Sequence, residues 1–128
     1  MQVQAPDGVA FKYQNILKTL YKKGKLPSVK YGFYGDELTK EIVTLEHLKA
    51  RSKGGKTELR NLVLASANKN QERACRPLSE MLNWECVGRY LEQFRNVIVD
   101  GFNGNQYIQM ILKTIKEILK HEQMVRRQ

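Results

Sequence analysis

The chain has few cysteines for disulfide bonds: its 128 residues include only two, Cys75 and Cys86. A domain of this size can bury a sufficient core without disulfides, so we expect both thiols to be reduced, as in the cytosol. Long apolar runs are missing too: none approaches the roughly 20 residues that a membrane-spanning helix needs. The first residues, MQVQAPDGVAF, lack the basic-then-apolar order of a signal peptide. We therefore expect one domain, residues 1–128, that stays in the cytoplasm and has no membrane partner.

Acidic residues are scarce as well, with 13 Asp and Glu against 22 Lys and Arg, which gives a formal net charge of +9. Such an excess favours a polyanionic partner, and binding to a nucleic acid would gain from counterion release. An acidic membrane surface or an acidic protein would satisfy the same charge. The charge therefore narrows the class of partner without choosing within it.

Apolar periodicity predicts helices at both ends of the chain. Apolar side chains recur at helical spacing over residues 9–23, and Gly24 ends that helix. Towards the other end, apolar positions over residues 78–98 predict a long helix, in which Trp84 is expected to pack. After the turn DGFNGN, a last amphipathic helix is predicted over residues 108–119.

A small strand–loop–strand–helix unit is predicted between these helices. The β-branched residues of ELTKEIVTLEH indicate a strand, and KARSKGGKTELR reads as a loop that turns at Gly54 and Gly55. NLVLA is a second short strand, after which Ser66 can cap a helix over residues 67–75 through its hydroxyl. The expected fold class is therefore α+β and mostly helical.

One of the only two histidines in the chain, His47, lies at the end of the first predicted strand, in VTLEHLKARSKGGKTELRNLVLASANKN. A lone histidine at a strand end is usually structural or merely exposed. A neutral imidazole is also a suitable base near pH 7. The other histidine, His121, lies on the polar side of the last helix and is assigned no role.

The neighbours of His47 carry a resemblance to a known family. His47, Asn61 and Asn70 stand in the order and spacing of the His-Asn-His (HNH) nuclease family, in its variant with Asn at the third position. EHLKARSKGG followed by ELRNLVLAS is similar to that family's runs, and the match covers residues 31–76. The resemblance implies a central two-stranded ββα-metal (His-Me finger) unit, flanked by an N-terminal helix and by two long helices in a C-terminal extension, residues 77–128.

The resemblance also implies a role for each matching residue. His47 would be the general base that activates a water, and Glu46 and Asn70 would hold one divalent metal. Their oxygen ligands suit Mg²⁺ or Mn²⁺ better than Zn²⁺. Asn61 would hold the histidine-bearing loop by hydrogen bonds. Asn68 competes for the third position, but two residues on a helix differ by about 200°, and the family spacing selects Asn70.

Glu46 raises two questions about this site. It stands where the family more often has Asp or His, and its longer arm should still reach a metal, while the exact coordination stays open. Because it directly precedes His47 on an extended segment, the two side chains should point to opposite faces. A twist or bulge at the strand end would bring both near one phosphate, and only the resemblance supplies such a distortion.

The chain lacks the two cysteine pairs by which many members of the HNH family hold a structural zinc. Those members carry two Cys-x-x-Cys pairs, at places that read YGFYG over residues 31–35 and SANK over residues 66–69 here. We therefore expect no structural zinc. Tyr31, Phe33 and Tyr34 are expected to fill the space by aromatic packing.

Basic residues surround the matching stretch and are candidates for phosphate contacts. Arg51 and Lys53 lie on the loop after the base, and Arg73 follows Asn70 by about one helical turn, so we expect it on the same side. Arg76 belongs to the same cluster. These residue types specify no base sequence, so contact with phosphate is the expectation rather than base readout.

The leading functional hypothesis is a metal-dependent endonuclease that hydrolyses phosphodiester bonds in DNA, by nicking or by double-strand cleavage. The alternative is a non-catalytic nucleic-acid-binding or adaptor protein that keeps the HNH scaffold. An inhibitor of a nuclease would more naturally be acidic. Preference for DNA over RNA stays open, and so does a homodimer through the C-terminal helices. The small stand-alone format resembles nucleases of phage or mobile-element origin.

Overall fold

The computed structural model describes residues 16–126, which form an α+β fold. The helices are α1 (Ile16–Lys22), α2 (Ala67–Arg73), α3 (Leu78–Met81), α4 (Trp84–Glu92) and α5 (Gly104–Arg126). The strands are β1 (Val43–His47), β2 (Leu62–Ser66), β3 (Ile98–Val99) and β4 (Phe102–Asn103), with short 3₁₀ helices at Arg51–Lys53 and Leu59–Asn61. No helix in this part of the chain is long and apolar enough to cross a bilayer.

The predicted strand–loop–strand–helix unit is confirmed. Strands β1 and β2 pair antiparallel, with Val43 opposite Ser66 and His47 opposite Leu62. Ser66 caps α2, since its side-chain oxygen accepts a hydrogen bond from the backbone N–H of Lys69 at 3.2 Å. Helix α2 ends at Arg73 and packs against both strands. This packing places the residues of α2 directly beside β1.

Helix α1 ends where the sequence predicts. Gly24 follows it with a φ of 74°, a conformation that glycine adopts without steric cost. Leu17 and Leu20 of this helix are buried against the core. The predicted start of the helix at Val9 lies outside the described residues.

The single long helix predicted over residues 78–98 is wrong, because the chain breaks at two places. Leu82 is extended, and the side chain of Asn83 accepts a hydrogen bond from the N–H of Cys86 at 3.1 Å, which starts the separate helix α4. An asparagine side chain competes in this way with backbone hydrogen bonds inside a helix. Beyond α4, Asn96 has a φ of 63°, and the chain continues into β3.

Trp84 is 51% exposed, so its expected packing is also wrong. It opens α4 on the solvent side, whereas Val87, Tyr90 and Leu91 face the core.

Only one C-terminal helix is therefore long. Strands β3 and β4 form a hairpin whose two turn residues, Asp100 and Gly101, both have positive φ, as a two-residue type I′ turn requires. This hairpin confirms the predicted turn. Helix α5 follows it, begins at Gly104 and extends well beyond the predicted residues 108–119.

Strand β2 is buried along its whole length and is tied to the helices by two tyrosines. The N–H of Leu64 donates to the Tyr90 hydroxyl at 3.0 Å, and the Tyr107 hydroxyl donates to the carbonyl of Leu62 at 2.8 Å. The two hydroxyls also share a hydrogen bond of 2.8 Å. Buried polar groups require such partners, so this chain of bonds fixes α4 and α5 against β2.

The expected aromatic packing near the start of the unit holds for two of three residues. Phe33 and Tyr34 are buried, and their rings make an edge-to-face contact with a centroid distance of 5.2 Å. Tyr31 is 37% exposed, and the guanidinium of Arg89 lies 5.5 Å from its ring centroid. Tyr31 is therefore a surface residue rather than core.

Candidate functional site

His47 is the last residue of β1 and is half-buried. Its Nε2 lies 2.9 Å from the hydroxyl of Thr57, which stands on the loop returning to β2. Burial lowers the pKa of His47, and the positive charge of Arg51 lowers it further. The ring is therefore neutral at pH 7. When Nε2 carries the ring proton and donates it to Thr57, Nδ1 keeps a lone pair that can accept a proton.

Asn61 clamps the loop that joins β1 to β2. Its Oδ1 accepts a hydrogen bond from the N–H of Lys49 at 2.8 Å, and its Nδ2 donates to the carbonyls of Lys49 at 3.1 Å and of Lys56 at 2.9 Å. The side chain is 5% exposed, so these bonds are protected from water. Asn61 thus joins the two ends of the loop and acts on its shape rather than on a reactant.

Glu46 is buried under the end of β1, beside a tyrosine and an arginine. The hydroxyl of Tyr34 donates to Oε2 of Glu46 at 2.7 Å, and Nη1 of Arg73 lies 3.8 Å from the same oxygen. Burial raises the pKa of Glu46, and the Tyr34 hydrogen bond and the Arg73 charge oppose that rise. Burial likewise raises the pKa of Tyr34, so its hydroxyl keeps its proton and remains a donor. The backbone N–H of His47 also stabilises the charged carboxylate and opposes the rise in the pKa of Glu46.

The strand pairing runs through Glu46 and His47 without a bulge, with Glu46 opposite Val63 and His47 opposite Leu62. The two side chains therefore leave β1 on opposite faces, as successive residues of a strand do. Glu46 faces α2, whereas His47 faces Thr57 on the loop. Of the two distortions that the family resemblance allowed, a twist or a bulge, the bulge is absent from the pairing of these strands.

Asn70 lies on α2 with its amide oriented by β1. Its Nδ2 donates to the hydroxyl oxygen of Thr44 and to the carbonyl of Leu45, each at 3.2 Å. The Thr44 hydroxyl donates its own hydrogen to the carbonyl of Ala65 at 3.0 Å, so towards Asn70 it can only be an acceptor. Both partners are acceptors, which requires the amide nitrogen to face β1 and turns Oδ1 away from it. Asn68, the competing residue, is exposed.

The ligand chemistry fits a hard cation. The carboxylate of Glu46 and Oδ1 of Asn70 are oxygen ligands on two packed elements, β1 and α2, and the hydrogen bonds that orient Asn70 leave its Oδ1 unused. No group of three or more His, Cys, Asp or Glu residues could hold a metal within residues 16–126. A cation here would therefore take few ligands from the protein and the rest from water and phosphate, which is how Mg²⁺ is commonly bound.

The phosphate contacts expected from the sequence divide into two groups. Arg51, Lys53 and Arg76 are exposed. Arg73 is only 2% exposed, and it donates from Nη1 to the carbonyl of His47 at 2.8 Å and from Nε to the carbonyl of Arg76 at 3.0 Å. Because α2 packs on β1, the residue one turn after Asn70 points inward. Arg73 thus lies in the interior, which corrects its expected placement at the phosphate.

Sequence reasoning missed the roles of two side chains in this region. Tyr34 was expected only to pack, yet its hydroxyl holds Glu46. Thr57 carried no signal, because a threonine in a polar loop is unremarkable until its distance to His47 is known. Both roles depend on contacts across 10 or 12 residues of sequence.

In comparisons with known proteins, no family model matches the chain, and no curated protein and no solved structure matches it. The chemistry of the site therefore has to be derived from the residues and their geometry.

Proposed function

We propose that the protein is a metal-dependent endonuclease that hydrolyses phosphodiester bonds in DNA, with a ββα-metal unit formed by β1, β2 and α2. The observation that carries this proposal is the orientation of Asn70. Its amide nitrogen is bound to β1, so Oδ1 is free of those contacts and can bind a cation, and the carboxylate of Glu46 lies on the face of β1 that packs against the same helix. The resemblance of the stretch around His47, Asn61 and Asn70 to the HNH family supports the same function.

Each residue has a task that follows from its contacts. Glu46 and Asn70 would hold a divalent cation, which when bound polarises the phosphate and stabilises the leaving oxygen. His47 takes a proton at Nδ1 from the attacking water, while Thr57 holds the ring at Nε2. Asn61 keeps the loop in shape.

Metal binding and proton transfer would take place next to each other at the end of β1. Glu46 and His47 are consecutive residues on opposite faces, so the scissile phosphate would lie across the strand end, where it can approach both faces. Arg73 donates to the carbonyl of His47 and pairs with Glu46, so one interior guanidinium fixes both residues. Arg51, Lys53 and Arg76 are exposed and would contact the phosphates of the strand, in keeping with the net charge of +9.

The ion pair between Arg73 and Glu46 also favours a second candidate function. Arg73 already balances the charge of Glu46, so the folded unit is complete without a metal. A nucleic-acid-binding or adaptor protein that does not cleave would keep this arrangement.

Incubation with supercoiled plasmid separates the two functions. We expect nicking with Mg²⁺ or Mn²⁺ and none with EDTA, and we expect Asn70→Ala to lose nicking. Asn68→Ala is the matched control, because Asn68 is an exposed residue on the same helix, and it should nick like the wild type. Binding of the plasmid without cleavage under either metal would support the adaptor instead.

A further inference from the structure

A cavity of about 600 Å³ lies between the loop that joins β1 to β2 and the second half of α5. Its volume falls in the range of roughly 300–1,000 Å³ that is usual for small-ligand pockets. It is separate from the residues proposed to hold the metal, since neither Glu46 nor Asn70 lines it. The cavity is therefore distinct from the proposed metal site, although Asn61 and Arg73 line both regions.

Both walls of the cavity are fixed by the fold. On the loop side, Asn61 joins Lys49 to Lys56, and the N–H of Gly55 donates to the carbonyl of Ala50 at 3.0 Å. On the helix side, the carboxylate of Glu122 accepts the N–H groups of Leu78 at 2.6 Å and Ser79 at 3.1 Å, which ties α5 to α3. The cavity is thus a formed feature of the protein.

Glycine at position 55 is needed for this shape. A Cβ built there would lie 1.8 Å from the carbonyl oxygen of Lys49, so only a residue without a side chain lets the loop fold back so tightly. The sharp return brings Lys49, Lys53 and Lys56 to one wall of the cavity.

The charges at the cavity favour an anionic ligand. None of Lys49, Lys53 and Lys56 forms an ion pair with any residue that the structure describes. Arg60, by contrast, is paired with Glu58 at 2.6 Å. Three ammonium groups without a counterion on one wall attract a phosphate.

The remaining walls favour a partly apolar body attached to that phosphate. Ala50, Ile118 and Val125 supply aliphatic surface, and inorganic phosphate alone would leave this surface unused. Glu117 and His121, on the α5 side, can hydrogen-bond to the polar edge of a heterocycle. An anionic end combined with an apolar face and a polar edge describes a nucleotide.

The cavity adjoins His47 through one short segment. Thr57 contacts His47, while its neighbours Lys56 and Glu58 line the cavity. One nucleic acid strand could therefore cross this segment, with one nucleotide in the cavity and the next phosphate at His47.

We propose that the cavity binds an unpaired nucleotide of a nucleic acid strand, with its phosphate on the loop lysines and its base against Ile118 and Val125. A base held in a duplex could not enter such a cavity, so the substrate class is single-stranded or locally unpaired. The position of the neighbouring phosphate at His47 rests on the proposed nuclease function, whereas binding in the cavity does not.

Fluorescence anisotropy in EDTA tests the cavity without cleavage, using the full chain, a fluorescein-labelled 12-nucleotide oligothymidylate and a 12-base-pair duplex. Val125→Trp fills the cavity from an exposed position, and Met124→Trp is the matched control, since Met124 is equally exposed and does not line it. We expect Val125→Trp to weaken binding of the oligothymidylate about tenfold, the scale of one base-stacking contact, and to leave duplex binding unchanged. Equal affinity of the two variants for the oligothymidylate would overturn the proposal.

Two double variants with the same change in charge test the lysines that line the cavity. Lys49→Glu with Lys56→Glu should weaken oligothymidylate binding several times more than Lys113→Glu with Lys116→Glu, which makes the same change in charge away from the cavity. An equal loss in both pairs would show that net charge alone acts, and this would overturn the proposed site.

Competition identifies the ligand and separates this proposal from the nuclease. Thymidine monophosphate should displace the oligothymidylate at a concentration where inorganic phosphate does not, and equal displacement by both would overturn the nucleotide site. Wild-type protein that binds through the cavity but, with Mg²⁺ or Mn²⁺, cleaves neither plasmid nor oligothymidylate would refute the nuclease function alone. Nicking that persists while Val125→Trp binds the oligothymidylate like Met124→Trp would refute the cavity alone.

Discussion

Arg73 and Glu46 form a buried ion pair, in which Nη1 of Arg73 lies 3.8 Å from Oε2 of Glu46 and the side chains are 2% and 6% exposed. The same nitrogen donates to the carbonyl of His47. A single interior guanidinium thus connects the proposed metal ligand to the backbone of the proposed base. The contacts that fix the site therefore come from α2, in the protein interior.

Removal of Arg73 should destabilise the protein strongly. Arg73→Ala leaves Glu46 as a buried charge without its partner, and breaking a buried pair in this way costs about 3–5 kcal/mol. Arg95→Ala is the control, because Arg95 forms only an exposed pair with Glu92 and should change the unfolding free energy very little. Urea unfolding of both variants measures the difference. A loss for Arg73→Ala as small as that for Arg95→Ala would mean that the interior pair contributes nothing.

Tyr34→Phe should lower the free energy of unfolding by an amount that depends on pH. The hydroxyl of Tyr34 stabilises the charged form of Glu46, so its removal raises the pKa of Glu46 further above the ordinary value of 4.5. A carboxyl with a raised pKa in the folded state holds its proton longer there, so stability falls as pH rises from about 4.5 to the folded pKa. The fall in unfolding free energy across this window should be larger in Tyr34→Phe than in the wild type. Parallel pH profiles for the two proteins would contradict the role of the hydroxyl.

How much of this region the sequence predicts depends on how local the determinants are. Strands β1 and β2 were predictable because β-branched and apolar residues alternate with turn signals, and α2 because Ser66 supplies a cap. The break before α4 was missed because apolar positions continue through it, while one Asn83 side chain starts a new helix.

The candidate site was predictable in its members but not in its arrangement. The spacing of His47, Asn61 and Asn70 comes from the sequence. The inward direction of Arg73 and the orientation of the Asn70 amide depend on the packing of α2 against β1, more than 20 residues away in sequence. No local pattern carries that information.

Thr57 should matter for catalysis through the ring of His47. Thr57→Val removes the hydroxyl that lies 2.9 Å from Nε2, so the ring loses its fixed orientation and we expect cleavage to slow about tenfold, a fraction of what a general base contributes. Thr57→Ser keeps the hydroxyl and should restore most of the rate. If the serine and valine variants slow cleavage equally, the loss comes from loop packing and not from the hydrogen bond.

The pH dependence of cleavage should follow the charge near His47. Burial and the charge of Arg51 both lower the pKa of His47, so the acid limb of the rate profile should lie below the ordinary value of 6.5. Arg51→Gln removes a positive charge that disfavours the protonated ring, so the limb should move to higher pH. Arg95→Gln makes the same change in charge away from His47 and should leave the limb in place. A limb that shifts equally in both variants would refute the local effect of Arg51.

The separation of metal binding from proton transfer tests the central claim most directly. Mn²⁺ binding, followed by electron paramagnetic resonance, and plasmid nicking are measured on the same preparations of wild type, His47→Ala, Asn70→Ala and Asn68→Ala. The account predicts that His47→Ala binds Mn²⁺ like the wild type but nicks at least about 100-fold more slowly. Asn70→Ala should lose both properties, and Asn68→Ala should keep both. Nicking by His47→Ala at the wild-type rate would contradict the assignment of His47 as the base.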